Sequence, residues 1–181
     1  MADSADNDPV ILVDANDVEI GTAGKLDAHR RGLKHRAISV LVRNSGGELL
    51  LQQRHPGKYH SGLLWANACC SHPLPGESPV DAAQRRLQEE MGFSCALSPL
   101  FKFDYRAPVS EELIENELVH AFGGTHDGQI APDPIEVSQW KWIRFDDLAA
   151  DLRAQPENYA VWFRKYVAAH GGLILGWLAR G

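Results

Sequence analysis

The sequence is poor in several features that would narrow its function at once. It has 3 cysteines in 181 residues, and two of them, Cys69 and Cys70, are adjacent. An odd count with an adjacent pair argues against a disulfide framework, so Cys69, Cys70 and Cys95 read as reduced thiols. No CxxC pair occurs, which removes the usual thiolate zinc sites, so a metal would have to rest on histidines and carboxylates. No run reaches the ~18 apolar residues that a membrane helix needs, and the start, MADSADNDPVILVD, lacks the basic flank and apolar stretch of a secretory signal. A basic excess is missing too: 18 Lys and Arg stand against 24 Asp and Glu, a net charge of -6. That balance excludes binding to nucleic acid or to a membrane surface through bulk charge, and an anionic ligand must meet a local cluster of cations. Repeats, low-complexity tracts and interdomain linkers are also absent. With 44% hydrophobic residues to fill one core, the expectation is a soluble, cytoplasmic chain: one domain over 1–181, residues 1–8 a flexible start, as a monomer or weak homodimer.

What is present is pattern. Pro9 to Asp14 predicts a first strand, followed by an irregular segment, GTAGKLDAHRRGLK. HRAISVLVRN, the turn Ser45-Gly46-Gly47 and ELLLQQR form a hairpin signal. LLWANACC is short, apolar and bounded by turn residues, which suits a buried strand. Ser78 is placed as an N-cap with Pro79 first in a helix that Gly92 closes; Val80, Ala83, Leu87 and Met91 recur on its core face. LFKFDYRA, LIENELVHAF and VSQWKWIRF read as strands, with Trp140 and Trp142 in packing positions. Asp146 caps a short helix, and NYAVWFRKYVAAH is a helix ending at Gly171. Antiparallel strands with interspersed helices predict α+β.

Three constellations carry chemical potential. Glu115 and Glu117 share one face of a strand. A wet sheet face explains an isolated pair of this kind, but the apolar flanks Leu113-Ile114 and Leu118-Val119 favour a buried strand, where two carboxylates need a cation or a proton between them. His29, His35 and His72 offer imidazole, which together with carboxylate suits Mn, Zn or Mg; each histidine alone is equally a loop or surface residue. In GESPVDAAQRRLQEEMGF, the pairing of Arg85 and Arg86 with Glu89 and Glu90 needs no more than one helical turn, whereas a carboxylate helix can also hold Mg on a diphosphate.

The spacing of Glu77, Arg85, Glu89, Glu90 and Gly92 resembles the Nudix box. The copy is altered: Ser71 stands where the box has glycine and Arg86 where it has a metal-binding glutamate, which argues against Nudix pyrophosphohydrolysis, the alternative activity. With CSHP before it and YRA and ENE after it, the box resembles type I isopentenyl-diphosphate delta-isomerase, a Nudix-fold family, from about Val10 through Trp162. The resemblance implies mixed and antiparallel sheets flanked by helices, and interconversion of isopentenyl and dimethylallyl diphosphate in isoprenoid biosynthesis. It implies Cys70 and Glu117, with Tyr105 beside Glu117, as proton-transfer groups on opposite faces of the substrate, and Trp162 facing a developing cation. Lys25, Arg54, Lys58, Ser71 and Arg86 match diphosphate-contacting positions. His29, His35, His72, Glu115 and Glu117 resemble a site for one tightly bound divalent metal (Mn, Zn or Mg), with His60 a substitute for His29. Glu90 resembles the ligand of a Mg that arrives with the diphosphate. Cys69 has no direct role in this picture, and Trp65 is a weaker candidate for facing the cation, with core packing as its alternative. The rival outside enzymology is a metal-binding module in which the same histidines and glutamates only stabilise the fold.

Overall fold

The fold is organised around β3 (His35–Arg43), whose apolar run is buried on both faces, the pattern of a strand covered on two sides. In this computed structural model residues 8–180 are described, so the flexible start expected at 1–8 lies outside them apart from Asp8. β3 pairs in parallel with β8 (Ile114–Thr125) along its whole length and antiparallel with β6 (Cys69–Ser71). It also touches β1 (Pro9–Val13) and β4 (Leu49–Arg54). β2 (Glu19–Gly24) continues from β1, β5 (Trp65–Asn67) and β9 (Val137–Ile143) flank β4, and β7 (Leu97–Pro108) pairs with β8. The parallel β3/β8 pair among antiparallel neighbours makes the sheet mixed, as expected for the α+β class.

Alternation along β3 decides what each helix covers. Ile38, Val40 and Val42 pack with Ala82, Ala83, Leu87 and Met91 of α2 (Pro79–Met91). Ala37 and Leu41 face the other way, onto Trp162, Phe163 and Tyr166 of α4 (Val161–Leu178), with Leu148 of α3 (Phe145–Ala154). α2 begins as its sequence predicts, with the Ser78 hydroxyl accepting from the Asp81 N–H at 3.3 Å and Pro79 in the first turn. It stops at Gly92, φ +75°, where an added Cβ would sit 2.1 Å from the Ala131 carbonyl oxygen.

Five expectations are corrected. The segment taken as irregular contains α1 (Lys25–Arg31), a seven-residue helix too short to be stable alone and therefore invisible to propensity. Gly32, φ +60°, ends it and returns the chain toward β3. LLWANACC is two strands, β5 and β6, broken at Ala68, because the chain changes partner from β4 to β3 there. Asp146 lies in the first turn of α3, whose N-cap is Arg144. α4 runs through Gly171 to Leu178, because Ile174 and Leu178 are buried in the core and packing outweighs glycine's low propensity. Trp142 packs at the core edge, while Trp140 is 39% exposed.

A polar tie holds the outer sheet. Asp17, in the β1–β2 turn, accepts from Arg36 at 2.8 Å, Lys102 at 2.8 Å and His120 at 2.7 Å, linking that hairpin to β3, β7 and β8. Burial alone would push its carboxyl up, but the bonds from Lys102 and Arg36 outweigh it and hold the group at about 2.

Candidate active site

Strand register assembles the site. Glu117 of β8 stands opposite His35 on β3 and Tyr105 on β7, while Glu115 projects from the same face two residues earlier. His29 comes from the last turn of α1, and His72 follows β6. The ligand-capable atoms of His29, His35, His72 and Glu117 all lie within 4.8 Å of one another.

Their hydrogen bonds settle the tautomers. The Nδ1 of His29 meets the Lys25 carbonyl at 2.7 Å and that of His35 the Leu33 carbonyl at 2.8 Å. A carbonyl only accepts, so each Nδ1 carries a proton, and in the neutral ring that leaves the Nε2 as the atom with a lone pair. Both Nε2 atoms are buried without a hydrogen-bond partner, an arrangement that protein interiors avoid unless something else fills it. Burial lowers the proton affinity of His29 and takes His72 down to about 3, against the opposing pull of Glu117. Neutral imidazoles plus one carboxylate fit a divalent metal. His60 lies outside this group: its Nε2 is 3.5 Å from Glu115.

Glu115 lies beside this group and is not among its converging atoms. The Tyr105 hydroxyl reaches it at 2.8 Å and Glu117 at 2.9 Å. One hydroxyl cannot donate to two carboxylates at once, so the trio needs a further proton. Glu115 is the group that takes it, driven well above the usual carboxylate range by burial and by the charge of Glu117. Glu117 resists its own burial because the imidazoles of His35 and His72 stand 3.5 and 3.2 Å from it, and it stays well below that range. Burial and the charge of Glu117 push the Tyr105 hydroxyl up.

Cys70 approaches from β6. Its Sγ lies 3.4 Å from the Ser39 hydroxyl and 3.2 Å from the Asn67 amide oxygen, and burial pushes the thiol up to about 12. Cys69, on the alternate face, belongs to the core against α2. A pocket of about 550 Å³, counting its solvent-open mouth, has Cys70, Glu115 and Glu117 on its wall, with Trp162 and Tyr166 behind and Lys25, Arg54, Lys58, Ser71 and Arg86 around the remainder. This is the local cationic cluster that an acidic chain requires. His35 and Tyr105 support Glu117 from outside the wall.

Each cation is held in place. Lys25 lies 4.7 Å from the centre of the Tyr59 ring and Arg54 5.2 Å from that of Trp162. Arg86 donates to Glu89 at 2.8 Å, Glu90 at 2.7 Å and Glu136 at 3.3 Å, and Glu136 also accepts from Lys58. Gln52 donates to Glu90 at 3.1 Å. Sequence reasoning missed Ser39, Gln52, Asn67, Glu136 and Tyr166, because no spacing rule links them to the motifs. The one available signal was a polar residue inside an apolar strand, Ser39 in HRAISVLVR and Asn67 in LLWANACC.

Residues 33–165 match the NUDIX domain family. In solved structures, the MutT protein from Methanosarcina mazei Go1 superposes with a TM-score of 0.62 at 16% identity, over 81% of this chain and 94% of that one. A NUDIX hydrolase from Nitrosomonas europaea does so at 0.56 and 18%, over 76% and 88%. Likeness at that identity establishes the fold alone. Sequence relatives are much nearer: isopentenyl-diphosphate Delta-isomerase 2 of Aromatoleum aromaticum is 52% identical over 86% of this chain and 82% of its own length. The isopentenyl-diphosphate Delta-isomerase of Burkholderia multivorans is 48% identical over 92% and 94%. With a NUDIX sheet and helices, near-complete alignment to such relatives, and the CSHP and ENE strands meeting in one pocket, the chain belongs to the isopentenyl-diphosphate Delta-isomerase family.

Proposed function

We propose that the chain interconverts isopentenyl and dimethylallyl diphosphate, shifting a carbon–carbon double bond by adding a proton at one end of the allylic unit and removing one at the other. The observation that carries this reading is that Cys70 and Glu117 line one pocket together with four cations, Lys25, Arg54, Lys58 and Arg86.

The cations and Ser71 bind the diphosphate and fix the register of the hydrocarbon end. Glu117, backed by Tyr105, then faces one side of the alkene and Cys70 the other. Tyr105 bridges Glu115 and Glu117, so its hydroxyl can pass the proton held on Glu115 between the two carboxyls as Glu117 exchanges one with the hydrocarbon. Protonating an unactivated alkene creates a tertiary cation that water would trap. Trp162, only 3% exposed, offers an aromatic face that stabilises that charge, a contribution of roughly 0.5 to 2 kcal/mol for such a ring. A divalent metal (Mn, Zn or Mg) held by His29, His35, His72 and Glu117, with Glu115 beside them, would supply a fixed positive charge that tunes the proton affinity of the carboxylate. Glu90 is assigned to a Mg carried in on the diphosphate. Arg86 takes the box position where a hydrolase has a carboxylate, so the residues that would activate water are incomplete. The chain is assigned to the cytoplasm as a monomer or weak homodimer.

The test is NMR of isopentenyl diphosphate with the protein and Mg in D2O, following alkene carbons and phosphorus together. Deuterated dimethylallyl diphosphate with the diphosphate intact is the expected product. Released phosphate, or no change in the substrate, would overturn the reading.

A further inference from the structure

Asn67 sits at the end of β5, fully buried, at the point where the chain switches from β4 to β3. Its amide nitrogen lies 2.9 Å from the Val40 carbonyl and 3.0 Å from the Cys69 carbonyl, and 2.9 Å from the Ser39 hydroxyl. Two backbone carbonyls accept and never donate, so only the NH2 end of the amide can face them. The flip of the side chain is thereby fixed, and its oxygen must point at Cys70, 3.2 Å from Sγ. An amide oxygen accepts only, so this contact is favourable when the sulfur carries its hydrogen on that side. Ser39, fully buried, shares one of the two amide hydrogens of Asn67 with a carbonyl, and its own O–H then turns to the sulfur, 3.4 Å away.

We propose that Asn67 is a positioning residue for the thiol of Cys70: its locked amide oxygen holds the S–H toward the strand break and presents the sulfur to the pocket, with Ser39 as the second support. The inference rests on the role given to Cys70 above. The break between β5 and β6 thereby serves the site, because an unbroken strand would leave no carbonyl pair for the amide to grip.

The S–H stretch gives a readout that a merely structural Asn67 would not move. Infrared spectra of the wild-type protein minus those of Cys70→Ala isolate the Cys70 band. A band at the lowered frequency of a hydrogen-bonded thiol is expected, and a free-thiol frequency would overturn the proposal without any Asn67 variant. In Asn67→Ala the band should rise in frequency, with kcat lower by about 10- to 100-fold, the scale of a misplaced reacting group, and with KM and metal content unchanged. Ser39→Ala leaves the amide gripped by both carbonyls and should lower kcat by a smaller factor, with the band nearly in place. An unmoved band in Asn67→Ala, or a loss confined to KM, would overturn the assignment. The functional reading fails separately, if Cys70→Ala itself turns over normally, whatever the spectrum shows.

Discussion

His35 on β3 and Glu117 on β8 are partners in the parallel register, and the His35 Nε2 lies 3.5 Å from the Glu117 Oε1. That single pairing joins the two strands at the point where the metal-capable atoms meet. His35→Ala removes an Nε2 that has no hydrogen-bond partner, at the cost of the Nδ1 bond to the Leu33 carbonyl, and the variant should lose most of its bound divalent metal while circular dichroism stays native. Elemental analysis of the purified protein checks this, and undiminished metal would count against the group.

The two groups assigned to proton transfer should fail alike. Cys70→Ala and Glu117→Gln are each expected to slow isomerisation by about 10²- to 10⁴-fold, the range for loss of a positioned acid or base, while circular dichroism stays native. Cys69 points into the α2 side of the core, so Cys69→Ala should retain most activity. Assaying the three variants side by side tests which thiol does the work.

Gly92 offers a stability prediction. Its φ of +75° and the Ala131 carbonyl 2.1 Å from an ideal Cβ mean that Gly92→Ala strains the backbone and forces the 131–136 segment away from α2. That segment carries Glu136, which holds Lys58 and Arg86. The cost should exceed about 1 kcal/mol, seen as a melting temperature lower by at least about 2–4 °C for a chain of this size. An unchanged melting temperature would mean that the loop yields freely.

Asp17 makes stability depend on pH. Its carboxyl is held at about 2 in the folded protein against 3.8 ordinarily. A depressed carboxyl stabilises the fold fully above its unfolded value, and that contribution is lost as pH falls through the folded one. Asp17→Asn should therefore be less stable than wild type near neutral pH, with the gap closing between about pH 4 and pH 2. Parallel urea melts across this range provide the check; a gap independent of pH would assign the loss to packing.

Sequence alone determined the parts of this protein that depend on neighbours along the chain. The Ser78 cap and Gly92 stop of α2, the shared face of Glu115 and Glu117, and the altered box with its flanking CSHP and ENE all follow from short-range geometry of strand and helix. Those local signals were enough to point to the fold and to the family. Tertiary structure decided what depends on partners far away. α1 exists because the sheet supports it, and α4 extends past its glycines because Ile174 and Leu178 reach the core. LLWANACC breaks in two because β4 and β3 compete for it. The same long-range pairings turned Glu115 toward Tyr105 and His60, gathered His29, His35 and His72 on Glu117, and set Asn67 against Cys70. Pairing between strands that are distant in sequence leaves no period in it, so these placements were decided only when the sheet closed.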